Sequence, residues 1–321
     1  MIKGHPIHRF AITLVITAML SIVVNTALAQ YPERDITIVI PYNSGGGFDS
    51  YVRALAPRLE EHLPRTVNVL PQNTPGAGGR RGTTTVYRAR PDGYTIGAFN
   101  LPGVLIPQLE EMNIGYDLAQ VTWLATLGDD PYVYAVNADS PIRSLAELRQ
   151  AGQTIYYSAT GPGSTSYIAT TIVNEVLGIR YEIVTGYTGS SAYILGVIRG
   201  DVDAALVNLS AARPYIRSGD LRVLALFGAA SDDSAVPDAA ALGAPELGRL
   251  KLVRMIGGPP GLPAPVRQTL EAALLAALAD PGFTAWLKAS GNELSPAGAE
   301  ATAQAVRDMS AFYESFKHLL N

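Results

Sequence analysis

From residue 31 onward, short apolar segments alternate with stretches whose apolar side chains recur every three to four positions. Strands separated by helices do not pair as tight hairpins. They need crossover connections, which give parallel sheets covered by helices, an α/β fold. Candidate strands occupy residues 36–40, 67–70 and 95–99 in a first series. A second series occupies 132–136, 154–157, 182–184, 204–207 and 222–225. Between them a helix is expected to begin at Asp49, a good N-cap, with Val52, Leu55, Leu59 and Leu63 on one face. Pro57 lies inside it, so the pattern predicts a kink there or a break at Ala56. Further helices are expected over 165–177, with Ile168, Ile172, Val173 and Val176 inward, and over 190–199. The last part reads as helical over 265–278, 282–289 and 299–320. It has too few strands to form a domain, and is expected to pack back onto the first series. The chain would then cross a hinge twice, near 127–131 and near 252–256. The cleft between two lobes becomes the expected ligand site.

Two glycine turns follow the first two strand segments. One is Pro41-Tyr42-Asn43-Ser44-Gly45-Gly46-Gly47-Phe48-Asp49, and the other is Pro75-Gly76-Ala77-Gly78-Gly79. A strand that feeds a glycine turn and then a helix points free backbone N–H groups at one spot, and the helix dipole adds positive charge there. That is an anion site. Glycine lets the backbone come close to a ligand. Several of these residues also have plain structural readings. Asp49 reads as a helix cap as well as a contact, Gly45 and Gly46 as turn formers, and Ser164 and Thr165 as N-caps of the following helix. Arg80 and Arg81 read as solvated surface residues.

Residues 1–29 carry Lys3 and Arg9, then the apolar run 11–24, then Ala27-Leu28-Ala29. This is the pattern of an export signal cleaved after Ala29. The apolar run is shorter than the ~20 residues a spanning helix needs. Without that segment the chain has 22 basic and 28 acidic residues, a formal charge of −6. Such a balance argues against nucleic acid, which needs a clustered basic face. There is no cysteine, so an exported chain of this kind depends on its core alone. His62 and His318 have no metal-ligand partner at useful spacing, and no cofactor motif occurs. No serine sits in a Gly-x-Ser-x-Gly elbow, and Asp129-Asp130 reads as a solvated acidic pair. The residues therefore suggest a protein that holds a small acid rather than transforms one.

The order Pro41-Tyr42-x-x-Gly45-Gly46-x-x-Asp49, Asn73-x-Pro75-Gly76-Ala77-Gly78-Gly79 and Pro91-Asp92-Gly93-Tyr94-Thr95 resembles the Bug receptors. These are the periplasmic substrate-binding proteins of tripartite tricarboxylate transporters. The resemblance continues through residues 158–164, Tyr187-Thr188-Gly189 and Pro259-x-Gly261-x-Pro263-Ala264-Pro265. It implies a two-lobed periplasmic-binding-protein fold of the Venus-flytrap, type II-like kind. Lobe 1 would comprise 30–129 plus 254–321, and lobe 2 would comprise 130–253. It also implies a small carboxylate ligand, a di- or tricarboxylate or an aromatic acid, and membrane transporter subunits as partners of a periplasmic monomer with no cofactor. By the same match, first-lobe contacts are Tyr42, Ser44, Gly46, Gly47, Phe48, Asp49, Gly76, Ala77 and Gly78. Second-lobe contacts are Thr160, Gly163, Ser164, Thr165, Tyr187, Thr188, Gly189 and Asn208. The sequence departs from the family pattern at Thr188, where lysine is usual, and at Tyr167, where histidine is frequent. A sensing receptor that feeds a two-component system would use the same site. An enzyme on a related two-lobe scaffold is the third reading.

Overall fold

The computed structural model describes residues 31–110, 112–231, 233, 235–290 and 295–320. The expected export segment and its cleavage point lie outside them. Ten strands form one curled mixed sheet: β1 Ile36–Ile40, β2 Val69–Asn73, β3 Thr95–Leu101, β4 Thr122–Asn137, β5 Ile155–Ser158, β6 Tyr181–Val184, β7 Ala204–Asn208, β8 Leu221–Phe227, β9 Lys251–Gly258 and β10 Ala297–Gly298. Their order is β2-β1-β3-β9-β4-β7-β5-β6, with β8 and β10 also paired to β4.

The sheet has two halves, and β4 belongs to both. Its residues 122–131 pair with β9, while 132–137 pair with β7 and β8. The expected all-parallel arrangement holds only away from the centre, in β2-β1-β3 and in β6-β5-β7. The pairs β3–β9, β9–β4, β4–β7 and β4–β8 are antiparallel. The cause is topological. A chain that leaves along one strand and returns along its neighbour runs the two in opposite directions. The strand expected to start at 132 therefore starts ten residues earlier, and the expected return crossing is a full strand, β9.

The first helix, Gly47–His62, begins two residues before the expected start, with Gly46 and not Asp49 at its N-cap. It continues through Pro57 without a break. Pro57 is exposed, and the opposite face buries Tyr51, Val52, Leu55, Ala56 and Leu59, so packing outweighs the one backbone bond that proline removes. The helices Thr165–Leu177 and Ser190–Arg199 have their expected bounds, though Val176 is only half-buried. At the end, Ala299–Glu314 is helical and Lys317–Leu319 is a separate 3-10 turn, where one longer helix was expected. Helices Ala264–Ala279 and Ala299–Glu314 bury Leu270, Leu274, Leu278, Val306 and Tyr313 in the core shared with β1, β3 and β9. The tail's own strand, β10, is two residues long and pairs with β4. No single helix among the described residues is long and apolar enough to cross a bilayer.

Candidate functional site

The two glycine turns meet because the chain stitches them together. Asn73, the last residue of β2, donates from Nδ2 to Tyr42 O at 3.0 Å and to Asp49 Oδ1 at 2.9 Å. Gly82, in the helix Arg80–Tyr87, lies so close to the first turn that a Cβ would come within 2.7 Å of Pro41 Cα and 3.0 Å of Thr74 O. In the second turn four consecutive residues have positive φ: Gly76 at 137°, Ala77 at 48°, Gly78 at 67° and Gly79 at 99°. Ala77 is the one non-glycine residue in that region among those described, and it is held there by glycines on both sides.

A cleft of about 830 Å3 opens between the two halves of the sheet. Its first wall is Tyr42, Ser44, Gly46, Gly47, Phe48 and Gly78. Its second wall includes Thr160, Ser164, Thr165, Thr188, Gly189 and Asn208. The cleft thus unites most of the residues expected to touch a ligand. It continues into a side compartment of about 570 Å3 past Gly78, Gly103, Thr160 and Ser164. Ala77 and Gly163 line that compartment and not the main cleft. A groove of about 390 Å3 near Trp123, Arg267 and Glu300 shares no residue with either.

Three expected residues are directed elsewhere. The Asp49 carboxylate, 4% exposed, accepts from Gly45 N, Arg53 Nε and Asn73 Nδ2 at 2.8–2.9 Å. The Arg53 bond, helped by those from Gly45 and Asn73 and by the charge of Arg53, holds it down at about 2 against the cost of burial. It braces the turn and stays ionised. Gly76 turns its carbonyl to Gly79 N and Arg81 N. Tyr187 packs back onto Gly196, joining the small core of Val133, Tyr193 and Val207.

Four helices start at the cleft. Their N-caps, Gly46, Ser164, Gly189 and Asn208, all line it, as do residues of each first turn. The first N–H groups of a helix have no acceptor within it. Each N-terminus also favours an anion by roughly 0.3–1 kcal/mol. Ser164 Oγ caps Tyr167 N, and Ser210 N is taken by Asp130, so these helices keep only part of their donors. Among the described residues, no aspartate, glutamate or lysine lines the main cleft, and its one formal charge is Arg254.

Several cleft residues carry no glycine signature and were not expected from the sequence. Asn100 donates from Nδ2 to Tyr42 Oη at 2.8 Å. Burial pushes the Tyr42 phenol up to about 12, so it keeps its proton at neutral pH. The Asn100 Oδ1 and Arg254 Nε atoms are buried with no partner among the described residues. Tyr193, Tyr215 and Trp286 complete the walls, and Trp286 is held edge-on to Tyr51. Arg254 had one available signal: it is the lone charge in the apolar run Leu252-Val253-Arg254-Met255-Ile256. A charge in such a run needs a buried partner. That partner is Asp130, 2% exposed, so the expected solvated acidic pair is wrong.

The model of the tripartite tricarboxylate transporter family receptor matches residues 51–316. A relative from Bordetella pertussis, the protein BugT, is 32% identical over 226 residues, covering 67% of this chain and 68% of its own. The solved periplasmic binding protein BugD is 28% identical, with a TM-score of 0.75 over 90% of this chain and 98% of its own. An R. palustris protein solved with adipate is 25% identical, with a TM-score of 0.76 over 91% and 98%.

Proposed function

The chain belongs to the tripartite tricarboxylate transporter receptor family, whose solved relatives are solute-binding proteins, and from that premise we propose that it captures a small carboxylate in the periplasm. The acid is a di- or tricarboxylate or an aromatic acid, bound once per chain and without turnover. The bound form is handed to the membrane subunits of a tripartite transporter. The receptor acts as a monomer, exported by a signal cleaved after Ala29. Residues 30–129 with 254–321 move as one lobe and 130–253 as the other. Support for that division comes from the change of β4 partners after Pro131.

One observation carries the reading: four helix N-termini converge on a cleft that no carboxylate lines among the described residues. Donors of this kind bond a carboxylate with charge assistance, about 1.5–3 kcal/mol each. A few of them, with lobe closure, reach roughly micromolar affinity, about −8 kcal/mol, after association costs. First-wall contacts come from Tyr42, Ser44, Gly46, Gly47, Phe48 and Gly78. Thr160, Ser164, Thr165, Thr188, Gly189 and Asn208 close from the other side. The adipate in the R. palustris relative fits this class. Titration calorimetry of ligand-free protein against mono-, di- and tricarboxylates is expected to give saturable binding at one site. No heat with any acid removes the proposal.

A further inference from the structure

We propose that Arg254 is a second anchor for the ligand and links it to the hinge, so that the preferred acid carries two anionic groups. The inference rests on the carboxylate reading above. Arg254 lies on β9 at the crossing between the halves and lines the cleft while being only 7% exposed. Its Nη2 donates to Asp130 Oδ2 at 3.0 Å. Its Nε is buried with no partner among the described residues. A guanidinium N–H left unpaired out of water is destabilising, so the geometry calls for an acceptor to complete it. That position offers a hydrogen to an acceptor in the cleft.

The groups around Arg254 differ from those at the glycine turns, and Phe48 borders both: its ring centroid is 5.1 Å from that of Tyr42 and 5.5 Å from the Arg254 guanidinium. The Tyr42 side holds Asn100 and the first glycine turn. The Arg254 side holds Asp130, and through it the second wall. Asp130 accepts from Ser210 N at 3.1 Å and from Ser210 Oγ, both in the first turn of the helix Leu209–Ser218. An acid that spans the Phe48 ring places one carboxylate at the turns and the other on Arg254 Nε. Nη2 remains on Asp130, so the far end of the ligand is tied to the helix that moves with the second half. Arginine suits this role because its planar fork serves two acceptors at once, which an ammonium does not do with fixed geometry.

The test is calorimetry with straight-chain diacids from succinate to suberate, each paired with its monomethyl ester. The wild-type protein is expected to bind its best diacid at least about 10-fold tighter than the matching ester, a difference of about 1.4 kcal/mol. Arg254→Lys is expected to bring that ratio below about 3-fold while leaving the ester's affinity unchanged. A wild-type ratio near one overturns the inference, as does a Lys variant that loses diacid and ester alike. Crystals grown with the best diacid supply a readout that needs no variant: a carboxylate oxygen about 3 Å from Arg254 Nε is expected. If both carboxylates lie elsewhere, Arg254 is not an anchor. Binding of esters and diacids with equal strength leaves the carboxylate reading standing and removes this one. No binding by any acid removes both.

Discussion

The two walls of the cleft are built from different materials. The first is mostly main chain: two glycine turns, locked together by Asn73 and by the close approach of Gly82 to Pro41, with Asp49 bracing one of them from behind. The second is mostly hydroxyl and amide side chains at three helix starts, Ser164, Ser190 and Asn208 among them. A main-chain wall offers the same donors whatever the side chains are. A side-chain wall changes its chemistry with each substitution. The first suits the part of the ligand common to all acids, and the second suits what distinguishes one acid from another.

Blocking the main-chain wall should do the most harm. Gly47 opens on empty space, its φ is not in the left-handed region, and it lines the cleft beside the helix N-terminus. Gly47→Leu is expected to lower affinity for every acid by at least about 100-fold, or ~2.7 kcal/mol, with the urea midpoint unchanged. Retained affinity in calorimetry would mean that the first wall is scaffold only.

Removing the brace behind that wall should cost less and show in stability. Asp49→Asn is expected to destabilise by about 1–2 kcal/mol at pH 7, since it weakens a charged bond to Arg53. The folded carboxyl titrates at about 2 and an unfolded one near 4, so the contribution is full above about pH 4 and fades as pH falls towards 2. Urea melts at pH 7, 4 and 3 should show wild type and variant converging as the solution is acidified. Parallel curves would leave Asp49 without this role.

Single changes in the side-chain wall should have the smallest and most selective effects. Thr188→Val keeps the shape and removes one hydroxyl from the cleft. The expected loss is about 3–10-fold, roughly 0.5–1.5 kcal/mol, and different for different acids. An equal, large loss for all of them would erase the contrast between the walls.

The same contrast decides what the sequence revealed. Glycine runs are legible in a sequence, and Gly46, Gly47 and Gly78 do line the cleft, though of the three only Gly78 has a backbone that few other residues tolerate. The helix starts at Thr165 and Ser190 were legible from their periodicity, and the first also from its serine cap. Side-chain direction was not. Tyr187 and Tyr193 both join the small core of the second half, yet of the two Tyr193, though buried, also borders the cleft. Local pattern does not set which of two tyrosines borders the cleft; the packing of the helix on its sheet does. The antiparallel centre was illegible for a similar reason. Strand direction depends on the whole path of the chain, and β9 resembles any apolar run. Of the two outcomes expected at Pro57, the break does not occur, because the burial opposite it outweighs the loss of one backbone bond.

One strand, β4, serves both halves without interruption. Successive side chains on a strand face opposite ways, so β4 acts as an index that fixes how each wall is phased against the other. Gaining or losing a single residue between Asp129 and Tyr132 would invert the positions that follow as far as the irregularity at Tyr134 and Ala135. Asp130 would lose its aim at Ser210, and the distal wall would be offered back to front on an otherwise sound sheet. Chains of this design have room to vary in length at their loops, but the count of residues along this strand is part of the binding site.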